Sequence, residues 1–77
     1  MKKAEAEFID GMIRDLASWF RGYANEDIEK ASKSSDDPVR QRALLASFSA
    51  WDAAAYKTLK IEELIAEVIR EIDDEAA

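Results

Sequence analysis

Phe8, Ile9, Met12, Ile13, Leu16, Phe20 and Tyr23 recur at helical spacing near the start of the chain. At about 100° per residue they cover an arc of roughly 140°, wide enough to touch two neighbouring helices. The pattern predicts a helix from Lys3 to Tyr23. Gly22 and Asn25 predict a stop and a restart. Asn25 is a good N-cap for Glu26-Asp27-Ile28, and acidic residues suit the positive end of a helix. Ile28 falls about 120° from the centre of the first stripe. A break near Gly22–Asn25 and a short helix to Lys33 follow from that misfit.

Ser34-Ser35-Asp36-Asp37-Pro38 predicts a loop that ends in an N-cap, with Pro at the first helical position. The next helix is expected from Pro38 to Lys57. Thr58 is a plausible N-cap for a last helix, Leu59 to Glu75, whose apolar face is Ile61, Leu64, Ile65, Val68, Ile69 and Ile72. No segment alternates with period two, so no strand is predicted. Leu44, Phe48, Trp51, Ala55, Thr58, Glu62, Ile65, Ile69 and Ile72 almost fit one heptad series, with Thr58 and Glu62 as its faults. The apolar face shifts by roughly 100° between the two halves, which favours a turn. The expectation is therefore an all-α single domain over residues 1–77, a three-helix bundle. The alternative is one long helix over 38–75 in a helical hairpin that dimerises to cover its stripe.

Composition removes most chemistry. With no Cys and no His, the chain has no disulfide, no thiolate or imidazole metal ligand and no proton shuttle near neutral pH. No Gly-rich phosphate loop is present, and a serine nucleophile would have only lysine as its base. Glu63, Glu67 and Glu71 stack on one helical face at i, i+4, i+8. A divalent-metal or acid/base site there would need burial or a partner to shift a pKa, whereas a solvated acidic face needs neither. No enzyme activity, cofactor or metal is expected.

The net charge of −6 argues against nucleic acid as a partner, which needs a basic patch. Acidity concentrates in residues 58–77, with seven acidic and two basic groups. No apolar run reaches the roughly 20 residues of a membrane span. Met-Lys-Lys is not followed by an apolar leader, because Glu5, Glu7 and Asp10 interrupt it. The cytoplasm is the default expectation.

One segment is unusual. Ala43 to Tyr56 holds one charged residue in fourteen. Leu44, Phe48, Trp51 and Ala55 make a core stripe, and Ala46, Ala50 and Ala53 lie opposite. Between them run Leu45, Ser49, Asp52 and Tyr56. That flank either widens the core or forms an interface, because interfaces deplete charge and enrich aromatics. On the first helix Ala4, Gly11, Ser18 and Gly22 form a small-residue stripe bordered by Phe8 and Trp19, which would admit another helix closely. Leu45, Ser49, Asp52 and Tyr56, with Trp19 and Phe8, are thus the candidate protein-binding residues. The expected partner is another protein or a second copy of the chain.

Three function classes remain. One is a helical protein-binding module around 43–56, and a second is a structural homo-oligomer. The third is an acidic inhibitor that mimics nucleic acid through Glu62, Glu63, Glu67, Glu71, Asp73 and Asp74. The missing Cys and His, the Lys/Glu/Ala-rich ends and the Ser-Ser-Asp-Asp-Pro connection resemble an engineered or computationally designed helical bundle. That resemblance implies a binder or scaffold for which a natural compartment has no meaning. Gly11, Ser47, Ser49 and Thr58 depart from idealised design.

Overall fold

The computed structural model describes residues 1–76. They form two helices, α1 (Lys3–Ser32) and α2 (Pro38–Ala76), packed against each other as an antiparallel hairpin, with no strand among the described residues. The long axis is 61 Å, close to the roughly 58 Å that 39 helical residues span at 1.5 Å each.

The turn follows the sequence closely. Asp37 Oδ1 accepts the backbone N–H of Arg40 at 3.1 Å, so Asp37 caps α2 and Pro38 takes the first helical position. Ser34 Oγ donates to the carbonyl of Lys30 at 2.8 Å, which ends α1. Gln41 Nε2 donates to the carbonyl of Ala31 at 3.0 Å and ties the start of α2 to the end of α1.

The three-helix expectation fails at both predicted breaks. α1 runs unbroken through Gly22 and Asn25. Its contact line is Ala6, Asp10, Ile13, Ala17, Phe20, Ala24, Asp27, Ala31 and Ser34, alternating steps of four and three. That line keeps its phase through residues 22–25. Gly in a helix costs only about 1 kcal/mol relative to Ala, less than losing the packing beyond it. Ile28, whose phase suggested a break, sits outside this line and stays exposed.

Thr58 likewise does not cap a third helix. It is buried inside α2, and its hydroxyl donates to the carbonyl of Ala54 at 2.7 Å. The other fault in the heptad, Glu62, accepts from Arg14 of α1 at 2.9 Å. With both polar positions satisfied, one series from Gln41 to Ile72 faces α1 along its whole length.

The buried apolar residues are all alanine: Ala6, Ala17, Ala24, Ala31 and Ala55. Along the two contact lines these alanines alternate with larger residues, Ala24 and Ala31 with Phe20 and Asp27 on α1, and Ala55 with Trp51 and Thr58 on α2. Phe20 and Trp51 stack at 5.6 Å, and Tyr23 tilts onto Trp51 at 4.9 Å. Aromatic pairs at these distances contribute about 0.5–1.5 kcal/mol beyond area burial. The hairpin interface is therefore a close approach of two backbones, clamped by one aromatic cluster.

Candidate interaction surface

α1 buries four alanines against α2 and leaves several of its large residues outside. Phe8 is 68% exposed, Trp19 65% and Met12 51%, and Leu16 and Tyr23 are also exposed. Ile9, Met12, Leu16, Trp19 and Tyr23 form a second line of alternating three and four steps. It lies one residue, about 100°, from the contact line with α2. A helix with two such lines has the geometry of one that touches two neighbours.

The same shift on α2 gives Ala43, Ser47, Ala50, Ala54, Lys57, Ile61, Leu64 and Val68, with one charge in eight positions. Ile61 is 52% exposed and Leu64 63%. The helices are antiparallel and their contact lines face each other, so a one-residue shift in the same sense on each turns both second lines to one side of the hairpin. Residues facing across the hairpin fix the levels, as in Phe20 with Trp51 and Arg14 with Glu62. Ile9 and Met12 then share a level with Leu64 and Ile61. The result is one long apolar face drawn from both helices, with shallow grooves between Phe8, Ile9 and Met12 and between Met12, Leu16 and Trp19.

The opposite face differs. Its α2 half carries Leu45, Ser49, Asp52 and Tyr56, and its α1 half carries Glu7, Gly11, Arg14, Ser18 and Arg21. All nine are exposed. Tyr56 has a local partner, since Lys60 Nζ lies 5.3 Å from its ring. The six candidate residues therefore divide. Leu45, Ser49, Asp52 and Tyr56 lie on the polar side, Trp19 lies in the apolar face and Phe8 at its edge. Met12, Leu16, Ile61 and Leu64, exposed on this face, are not among the six candidates. Their sequence signal is a second heptad line shifted by one residue, which merges with the contact line into one wide apolar arc. The small stripe of Ala4, Gly11, Ser18 and Gly22 faces outward, and a Cβ added at either glycine would meet nothing within 4 Å.

Electrostatics add no site of chemistry. Lys3 is held above its ordinary value by its hydrogen bond to Asp73 and by the charge of that carboxylate, 2.7 Å away. Arg14 is raised by its hydrogen bond to Glu62 and by the charges of Asp10 and Glu62. Lys60 is raised by Glu63 and then by Tyr56. Four of the six carboxylates considered for nucleic-acid mimicry are engaged in ion pairs, namely Glu62, Glu63, Glu67 and Asp73. Among the described residues no group of three or more carboxylates is placed to hold a metal ion. No described helix is long and apolar enough to cross a membrane. No protein-family model, no curated protein and no solved structure matches this chain.

Proposed function

We propose that this chain is a non-catalytic protein-association module that works through the apolar face of Ile9, Met12, Leu16, Trp19 and Tyr23 with Ile61, Leu64 and Val68. One observation carries the reading: Met12, Leu16, Trp19, Tyr23, Ile61 and Leu64 are exposed, while the buried apolar residues are all alanine. Monomeric proteins scatter their exposed apolar residues, and contiguous patches mark interaction surfaces. Trp and Tyr in such a patch are the residue types that dominate binding energy. The face with Leu45 and Tyr56 is the lesser candidate, because charged and polar residues of α1 flank it.

The test is a double substitution, Leu16→Glu with Trp19→Glu. Neither residue lies on the α1–α2 contact line. The variant should lose the association that the wild-type chain shows in chemical cross-linking and sedimentation. It should also lose binding of a hydrophobic dye by any free chain. A variant that cross-links, sediments and binds dye like the wild type would rule this face out.

A further inference from the structure

We infer that the occupant of this face is a second copy of the chain, so that two hairpins form a four-helix bundle with both loops at one end. The inference rests on the association reading above and names its partner.

Area is the first ground. A compact monomer of 8.7 kDa should expose about 4,700 Å². The hairpin exposes 5756 Å². The excess is on the order of 1,000 Å² per chain, and stable interfaces bury about 800 Å² per partner. One copy covers what the other leaves open. A chain whose fully buried apolar residues are all alanine leaves its larger ones to be covered by a partner, and a second copy is present wherever the chain folds.

Shape is the second ground. Each helix carries two heptad lines about 100° apart, close to the right angle at the corner of a four-helix bundle. A two-fold axis along the hairpin preserves the level of every residue and sets α1 against the partner's α2. Trp19 then faces the partner subunit's Ala54, Tyr23 the partner subunit's Ala50, and Met12 the partner subunit's Ile61. The first two pairs set a large side chain on a small one, and the third sets two apolar side chains together. The other pairing sets α1 against the partner's α1. That stacks Met12, Leu16, Trp19 and Tyr23 on their own kind, beside an α2 pair that carries Ala43, Ser47, Ala50 and Ala54 over half its line, and the two gaps would differ in width.

Charge is the third ground. At the edge of the same-level seam Asp15 faces the partner subunit's Lys60, and Gly22 faces the partner subunit's Ala53. The unlike charges meet, and the small residues meet.

Sedimentation equilibrium of the full chain from 1 to 100 µM tests the pairing. Twice the 8.7 kDa chain mass is expected. Trp19→Ala should weaken dimerisation by about 30-fold or more, as central aromatic anchors do. A folded monomer at 100 µM overturns self-pairing and leaves the association reading standing. That reading falls separately, if the Leu16→Glu, Trp19→Glu variant behaves like the wild type. Orientation is read from spin labels on Ser35→Cys, which is clean in a chain without cysteine. Loops at one end give a short label-to-label distance, whereas a distance near the 61 Å length overturns the arrangement. As a second check, Asp15→Lys should weaken the dimer by roughly two- to fivefold, and adding Lys60→Asp should restore it. Absence of rescue counts against the same-end register.

Discussion

Helix α1 carries two seams of the same periodicity and different composition. The closed seam, against α2, holds Ala6, Ala17, Ala24 and Ala31, with Asp10, Ile13, Phe20 and Asp27 among them. The open seam, one residue away, holds Ile9, Met12, Leu16, Trp19 and Tyr23. Large apolar residues are normally the ones buried. Their reversal shows that two helices joined by a short loop can pair through small residues at close range. The larger side chains then stay available for a less local partner.

Substitutions can break this contrast, and the largest effect is expected on the closed seam. Ala24→Leu inserts bulk at a buried position of the seam and should destabilise the hairpin by about 1–3 kcal/mol, measured by urea unfolding at fixed chain concentration. An unchanged midpoint would mean the seam is not closely packed.

Asp27→Leu should act in the other direction. Asp27 Oδ2 is buried without a hydrogen-bond partner, and replacing it with an apolar side chain should stabilise by about 1–2 kcal/mol. A drop in the melting temperature instead would show that the carboxylate fixes the register of the pair, as polar residues at such positions do elsewhere.

A smaller gain is expected away from both seams. Gly11 lies on the polar face with open space around it. Gly11→Ala should therefore stabilise by about 1 kcal/mol through helix propensity alone. Loss of stability would reveal a helix packed on that face.

The smallest effect concerns pH. Lys3 is raised above 10.5 by Asp73. Its contribution is therefore complete below pH 10.5 and is lost as pH rises through the higher folded value. The pair is half exposed, so salt and solvent screen it. A slight alkaline loss of stability, absent in Asp73→Asn, is the expected result of paired pH titrations.

Much of the local structure was legible in the residues. Asp37 and Pro38 specify the start of α2, and the all-helical class follows from composition and periodicity. The breaks at Gly22–Asn25 and Thr58 were misplaced because both were inferred from phase shifts in the bulky stripe. That stripe does not mark the contact line. Ile28 looked out of phase only against the wrong seam. The 100° shift within α2 arises because its second half carries two lines, Ile65, Ile69 and Ile72 inward with Ile61, Leu64 and Val68 outward. Among the candidate residues Trp19 and Phe8 are exposed on the apolar side, and Met12 and Leu16, which the periodicity assigns to the core, are exposed there too.

The sequence by itself determined that the chain is helical, that it turns before Pro38, and that it carries no thiolate or imidazole side chain. Those properties depend on propensity, capping and residue inventory, all local. Only the tertiary structure decided which of two equally periodic lines on α1 meets α2. Periodicity specifies that a face exists, not which face closes. That choice depends on the burial of Ala17, Ala24 and Ala31, on Phe20 and Tyr23 packing on Trp51, and on Arg14 reaching Glu62 across forty-eight residues.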